Sequence, residues 1–252
     1  MKIAIINADF AKENLAKYGD FADMAVTMLE QTRAARDEAE YVTFNVHKDH
    51  FPSLEQLRNF DGIYITGSQF DAFDTSTGWI VRLRELLSTV LTTEGFPPVA
   101  GVCFGHQIVA SSLGCTVNRN VKGFEGGIVS VQLTPEAKKL GLLQKPGDNP
   151  VDSIQIAEIH NDIVYDVPSG YTNLGYSSKC AIQGLYRKNK LFTLQGHPEF
   201  VTDVVVSILR TMGTRKLLED AEVKKLEHES FASTNDGYNA AAYLWKLFKL
   251  EI

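Results

Sequence analysis

The stretch Pro98-Val99-Ala100-Gly101-Val102-Cys103-Phe104-Gly105-His106-Gln107 decides how the rest of this sequence is interpreted. Pro98–Val102 is a short apolar run typical of a buried strand, and Gly105–Leu113 is typical of an apolar helix. Between them, Gly-x-Cys-x-Gly is the thiol counterpart of the Gly-x-Ser-x-Gly turn that carries a nucleophile. The two glycines avoid side-chain collisions in so tight a turn, and the positive helix N-terminus favours a thiolate at Cys103.

The residues before and around this turn alternate between strand and helix patterns. The predicted strands are Lys2–Asn7, Ala39–Asn45, Gly62–Thr66 and Pro98–Val102, and the predicted helices are Phe21–Arg36, Ser53–Phe60, Trp79–Leu91 and Gly105–Leu113. Such alternation is typical of βαβ crossovers, so it predicts an α/β protein with a mostly parallel central sheet.

Beyond Leu113 the pattern changes to short strands with few helices between them. These strands suggest an antiparallel extension; they are Thr116–Arg119, Gly127–Leu133, Ser153–Glu158, Tyr171–Tyr176, Ala181–Tyr186 and Leu191–Gln195. Lys145–Pro150 is predicted to be a turn-rich surface loop. Helices are predicted at Val201–Thr211, around Arg215–His228 and at Asn239–Phe248. We therefore expect a single domain over residues 1–252, with a core of about residues 2–200 and C-terminal helices in 201–252 packed on it.

Composition excludes several classes of protein. Of the 252 residues 44% are hydrophobic, and 25 Lys and Arg against 31 Asp and Glu give a net charge of −6. That charge argues against nucleic acid as a partner, because such proteins need a basic face. No apolar stretch approaches the ~18 residues of a membrane-spanning helix, so no membrane association is expected. Three widely spaced cysteines form no disulfide framework, and together with the lack of a signal peptide they predict a cytoplasmic protein.

A cysteine nucleophile usually needs a histidine that is held by a third group. The candidate is His197 in Gln-Gly-His-Pro-Glu, directly after a predicted strand. The proline stiffens this loop, and Glu199 can return to hydrogen-bond the imidazole. The pattern therefore predicts a triad of Cys103, His197 and Glu199. His106 adjoins the cysteine, but on the first turn of the helix it is expected to be structural.

Together, Gly101–Gln107 and His197–Glu199 resemble the class I glutamine amidotransferase domain. In that family a cysteine attacks the side-chain amide of glutamine, forms a γ-glutamyl thioester and releases ammonia. A third segment, Tyr64–Ser68, matches in the right order, and the resemblance runs over roughly residues 2–200. It implies a flavodoxin-like three-layer sandwich with a mostly parallel central sheet, a nucleophile elbow and a smaller antiparallel extension.

The resemblance also implies roles for residues around the triad. The oxyanion hole would use backbone N–H groups of Phe104 and of Ser68 or Gly67. The chain has Gly-Ser-Gln at the turn that begins with Gly67, where the family usually has Gly-Gly-Pro, so the choice between those two donors stays open. Asp162 would either pair with the α-ammonium of the substrate or form a simple Asx turn. The residues expected to bind substrate are Gln107, Asp162, Lys122 and Phe124, and no metal or cofactor is expected.

Within the family, four segments resemble the stand-alone γ-glutamyl peptidase group and its fungal relatives. They are Thr66–Ser68, Cys103–Gln107, Lys122–Phe124 and Gln195–Glu199. Only about 50 residues follow residue 200 and no ATP-binding loop is present, so the chain has no room for a second active site. We therefore expect an enzyme that hydrolyses or transfers the γ-glutamyl group of glutamine or γ-glutamyl peptides, with a small molecule as its partner.

Three alternatives remain open. One is the glutaminase subunit of a two-chain amidotransferase, whose synthase partner would not be visible in this sequence. Another is a non-catalytic protein that binds γ-glutamyl metabolites. A third is a thiol protein of another α/β family that shares the elbow cysteine; its histidine lies near the cysteine in sequence, so the distant His197 argues against it.

Overall fold

The computed structural model describes residues 1–143 and 151–252, so the predicted loop at 145–150 lies outside the described residues. The strands are β1 (Lys2–Asn7), β2 (Glu40–Asn45), β3 (Gly62–Ile65), β4 (Val99–Val102), β5 (Val117–Arg119), β6 (Glu125–Leu133), β7 (Ser153–His160), β8 (Asp162–Val164), β9 (Thr172–Asn173), β10 (Gly175–Tyr176), β11 (Gly184–Arg187) and β12 (Leu191–Leu194). The helices are α1 (Phe21–Thr32), α2 (Leu54–Leu57), α3 (Gly78–Thr92), α4 (Phe104–Ser112), α5 (Pro135–Lys139), α6 (Thr202–Thr214), α7 (Asp220–Phe231) and α8 (Gly237–Phe248).

The central sheet confirms the predicted α/β class. Its described strands run in the order β2-β1-β3-β4-β12-β11-β9, parallel from β2 to β12 and antiparallel at β11 and β9. Both faces are buried: Ile3 and Ile5 enter one hydrophobic cluster with α1 and α8, whereas Ala4 and Ile6 enter another with α3 and α4. This arrangement is a three-layer sandwich.

The antiparallel extension is smaller than the sequence pattern indicates. It consists of a sheet in the order β10-β6-β7 and the pair β5-β8. The sequence pattern groups Leu191–Leu194 with this extension, but that strand lies parallel to β4 in the central sheet. The predicted strand Tyr171–Tyr176 is split at Leu174, since β9 pairs with β11 and β10 pairs with β6. Neither β8 nor α5, both short, was predicted.

The parallel strands bring the candidate site together at their carboxyl ends. Asp9 follows β1, Gly67 follows β3, Cys103 follows β4 and His197 follows β12. Four separated segments therefore meet at one edge of the sheet, the usual location of ligand sites in open α/β sheets. Among the described residues, no helix is long and apolar enough to cross a membrane.

Candidate active site

Cys103 lies on the tight turn between β4 and α4. It is the N-cap of α4, with φ 49° and ψ −107°, a region that non-glycine residues rarely occupy. The flanking glycines are required by close approach. A β-carbon at Gly101 would lie 2.8 Å from the carbonyl oxygen of Gly105, and one at Gly105 would collide with the carbonyl oxygen of Ile65. The side chain is buried and lines a cleft.

His197 lies in the loop after β12 and faces the same cleft as Cys103. Its Nδ1 is 2.8 Å from Glu199 Oε1, and its ring stacks on Phe200 with centroids 4.0 Å apart. Its backbone N–H donates to the carbonyl oxygen of Ala157 at 2.7 Å. These three contacts therefore fix the plane of the His197 ring, the protonation of its Nδ1 and the position of its backbone.

The charges around His197 favour its protonated form. Burial opposes the imidazolium, but the Glu199 carboxylate and the Cys103 side chain outweigh burial and raise the pKa of His197 to about 10. The His197 imidazole and the Cys103 side chain line the same cleft.

A clamp from the C-terminal region holds the His197 loop. The amide nitrogen of Asn235 donates to the carbonyl oxygens of His197 at 3.1 Å and Phe200 at 2.7 Å. Gly237 lies against Pro198 so closely that a β-carbon there would collide with its backbone. Sequence analysis missed this contribution, because nothing local to Asn235 or Gly237 indicates the partner.

The turn after β3 packs directly on the histidine. A β-carbon at Gly67 would lie 2.6 Å from His197 Cε1, so only glycine fits there. The Ser68 hydroxyl donates to the carbonyl oxygen of Ala8 at 2.7 Å and accepts the N–H of Phe70 at 3.2 Å. The Ser68 hydroxyl is therefore occupied within the loop, while Ser68 itself lines the cleft.

Asp9 organises this turn and was not identified from the sequence. Its carboxylate accepts the backbone N–H of Gln69 at 3.0 Å, the side-chain amide of Gln69 at 2.9 Å and the ammonium of Lys12 at 2.7 Å. It is almost fully buried. A polar residue directly after a buried strand was the available signal, because strand ends meet at the site.

Phe104 contributes its backbone rather than its ring. The ring is fully buried and packs on Trp79, with centroids 5.7 Å apart. Its N–H belongs to the first turn of α4, where helix N–H groups have no partner within the helix. The residue after the cysteine therefore offers an N–H beside the sulfur, as an oxyanion hole requires.

The cleft has a volume of about 830 Å³ and joins most of the predicted site residues. Those that line it are Cys103, His197, Ser68, Gln107, Asp162 and Phe124. Lys122 is not among them: its Nζ donates to the carbonyl oxygen of Ser178 at 2.9 Å. Lys122 therefore lies outside the group of predicted residues that the cleft brings together.

Asp162 and Gln107 both have partners within the protein. The Asp162 carboxylate is 2.8 Å from an Arg119 nitrogen, and Arg119 also binds Asp71 at 3.0 Å. Burial raises the pKa of Asp162 to about 6, Arg119 opposes this rise and Asp71 adds to it. The Gln107 amide donates to the carbonyl oxygen of Asp162 at 2.9 Å and to Gln195 Oε1 at 3.1 Å. Gln107 therefore holds the Asp162 loop in place.

A second histidine lies deeper, between two carboxylates. His160 Nε2 is 3.1 Å from Glu125 Oε2 and 3.3 Å from Glu158 Oε2. Burial disfavours the charged imidazole, but the two carboxylates outweigh it and raise the pKa of His160 to about 10. Donor atoms of the three side chains lie within 4.8 Å of one another, close enough for a metal ion. Even without a metal ion, His160 Nε2 has a partner, because its N–H donates to the Glu125 carboxylate.

The two glutamates were also missed by sequence analysis. Alternation along β7 places Glu158 and His160 on one face, which was an available signal. Glu125 lies opposite His160 in the register of β6 and β7, and register cannot be read from one strand alone.

Comparisons with known proteins agree with this geometry. The family model described as glutamine amidotransferase class-I matches residues 11–209. A candidate glutamine amidotransferase of Saccharomyces cerevisiae is 43% identical, with 100% of this chain and 98% of that protein covered. Gamma-glutamyl peptidase 2 of Arabidopsis thaliana is 29% identical over 87% of this chain and 82% of its own. A solved glutamine amidotransferase of Thermotoga maritima shares the fold, with a TM-score of 0.67, 18% identity and 98% of each chain covered.

Proposed function

Because the chain belongs to the class-I glutamine amidotransferase family, we propose that it hydrolyses or transfers the γ-glutamyl group of glutamine or γ-glutamyl peptides. The observation that carries this proposal is the strained elbow, which presents Cys103 to the His197–Glu199 pair in one cleft. The γ-glutamyl peptidases among the relatives support a γ-glutamyl amide as the substrate class. The protein would act in the cytoplasm, where its three free thiols stay reduced.

The first half of the reaction forms the thioester. The Cys103 sulfur attacks the γ-carbonyl carbon, and the electron pair of the C=O bond moves to the oxygen. Backbone N–H groups of Phe104 and Ser68 (or Gly67) stabilise that oxyanion. When the C=O bond re-forms, the C–N bond breaks, and the His197 imidazolium gives its proton to the leaving nitrogen.

The second half releases the γ-glutamyl group. Neutral His197 takes a proton from water as the water oxygen attacks the thioester carbon, and the C–S bond then breaks to restore the thiolate. An amine acceptor in place of water gives γ-glutamyl transfer. Glu199 keeps the imidazole oriented and stabilises its charge in both halves.

The leading alternative is a glutaminase chain that waits for a synthase partner. It is favoured by a match to one chain of the glutamine-hydrolyzing GMP synthase of Sulfolobus acidocaldarius, 31% identical over 58% of this chain and 71% of that one. Such a protein would hydrolyse little glutamine until its partner docks. Turnover measured with and without cell extract separates this alternative from an enzyme that works alone.

The test is a substrate panel of glutamine, glutathione and glutathione conjugates, with and without cell extract. We expect turnover by the purified protein, and at least about a 1,000-fold loss in Cys103→Ala, because the thioester cannot form. Cys115→Ala is the matched control, as Cys115 is half-buried and does not line the cleft. Turnover retained by folded Cys103→Ala contradicts the mechanism. Turnover only with extract supports the two-chain alternative, and binding without acylation of Cys103 supports a non-catalytic protein.

A further inference from the structure

The buried cluster of Glu125, Glu158 and His160 has no part in the mechanism above. Its side chains are at most 4% exposed. Hydrogen bonds define its charge state. His160 Nε2 faces the two carboxylates, and Nδ1 lies 3.1 Å from the carbonyl oxygen of Asp162. Because each ring nitrogen faces an acceptor, both must carry a proton, and His160 is an imidazolium.

His106 shows the opposite arrangement on the neighbouring helix. Its Nδ1 lies 2.8 Å from the Thr193 hydroxyl, and no partner for Nε2 occurs among the residues that the structure describes. Burial, followed by repulsion from His160, lowers the pKa of His106 to about 3. The two buried histidines near the elbow therefore differ in charge, and His106 is neutral at physiological pH.

The end of β7 brings the cluster to the nucleophile. The Cys103 thiol contacts the carbonyl oxygen of Ile159 at 3.9 Å, one residue before His160. His160 lines the cleft beside Cys103, whereas neither glutamate does. Three residues before His160, Ala157 pairs with His197. His160 is therefore the member of the cluster that shares the cleft with Cys103.

We propose that His160 is a positioning residue, whose imidazolium, fixed by Glu125 and Glu158, stabilises the Cys103 thiolate before substrate binds. The proposal rests on the proposed function, in which Cys103 is the nucleophile. His197 supplies the proton for the leaving group, whereas His160 keeps its protons and supplies charge only. Both ring nitrogens of His160 face protein acceptors, whereas His197 has its one carboxylate partner at Nδ1, and this difference supports the division.

Other titratable groups surround His160 and Cys103, and they also affect the expected pH dependence. The titratable groups that face His160 are Cys103 and His106 on α4, Glu125 on β6, Glu158 on β7 and Asp162 on β8, with Lys179 near Glu125 and His197 near Glu158. Burial raises the pKa of Glu158, although His160 opposes the rise. Removing the positive charge of His160 therefore leaves Glu125 and Glu158 without the counter-charge that they share.

The experiment measures the rate at which iodoacetamide alkylates Cys103 as a function of pH, with mass spectrometry of the Cys103 peptide. We expect His160→Gln to move the midpoint upward by about one pH unit or more. His106→Gln, the matched control for loss of a buried neutral histidine, leaves the midpoint in place. Glu158→Gln removes a carboxylate and does not move it upward. An unchanged midpoint in folded His160→Gln overturns the proposal.

A second measurement needs no substitution. In protein with ¹⁵N-labelled histidine, nuclear magnetic resonance at pH 7 should show both His160 nitrogens protonated and His106 neutral. A neutral His160 overturns the proposal, as does an alkylation profile that shifts with EDTA, since that would make the cluster a metal site. Failure of the proposed function looks different, because Cys103 would then react no faster than Cys115 in the unmodified protein.

Discussion

Two histidine–carboxylate groups contribute a histidine to the cleft that contains Cys103, and they are built differently. His197 and Glu199 are two residues apart along the chain and 2.8 Å apart in space. His160 and Glu125 are 35 residues apart and meet only because β6 and β7 pair in one register. The first group is a loop motif that a short sequence can encode, whereas the second is a product of strand pairing.

The difference in construction matches a difference in chemistry. His197 has its one carboxylate partner at Nδ1 and lines the cleft with Cys103, so in the proposed reaction it can give and take a proton. His160 has both ring nitrogens occupied by protein acceptors, so its protons stay in place. A histidine with a free nitrogen can move a proton, and one with two acceptors can only hold charge.

We expect the largest difference between the two groups when one carboxylate is removed from each. Glu199→Gln should lower kcat for γ-glutamyl amide hydrolysis by about 100-fold or more, because the imidazole loses its orientation and its counter-charge. Glu158→Gln should lower kcat by less than about 10-fold, since Glu125 still holds His160. Steady-state kinetics of both variants decides the matter, and equal losses would mean that the two groups share one role.

Gly196 directly precedes His197 and packs against Glu158, so we expect it to affect the free energy of unfolding. A β-carbon at Gly196 would lie 2.7 Å from Glu158 Oε1 and 2.9 Å from the carbonyl oxygen of Ala157. Gly196→Ala should therefore lower the free energy of unfolding by about 1–3 kcal/mol. Gly78→Ala is the matched control, because nothing lies within 4 Å of a β-carbon there. Urea denaturation measures both, and an undiminished stability in Gly196→Ala would show that the packing is looser than described.

A further expected effect concerns the pH dependence of stability. The pKa of His160 is raised from 6.5 to about 10, so its contribution is complete below pH 6.5 and is lost as pH rises through 10. The pKa of His106 is lowered to about 3, so its contribution is present above pH 6.5 and is lost as pH falls toward 3.

The difference in unfolding free energy between the wild type and each glutamine variant should therefore depend on pH, and in opposite directions for the two variants. The difference for His160→Gln should shrink above pH 7, and that for His106→Gln should shrink below it, each by up to about 1.4 kcal/mol per pH unit. Parallel curves for the two variants would contradict the assigned charge states.

Local patterns predicted the parts of the molecule that local physics determines. The elbow around Cys103 and the His-Pro-Glu loop could be read because their residues act within a few positions of one another. Alternation of strands and helices was sufficient for the parallel sheet. The helix predicted from Ser53 is present but shorter, and Ser53 and Gln56 form a capping box at its start.

Long-range pairing decided what the sequence could not predict. The assignment of Leu191–Leu194 to the central sheet depends on which neighbour the strand meets, not on its own composition. The same holds for Glu125 opposite His160 and for Asp9 beneath the turn that contains Gln69. The contact of the Lys122 ammonium with the carbonyl oxygen of Ser178, 56 residues away along the chain, is likewise long-range.

The Asn235 clamp has a consequence for where this enzyme module ends. The family match stops at residue 209, yet the backbone around His197 is tied down by an amide from residue 235 and abutted by Gly237. The C-terminal region thus braces the His197 loop, and shortening the chain to the shared family segment would free that loop from its anchor. The segment shared with the family therefore ends before the residues that hold the His197 loop in place.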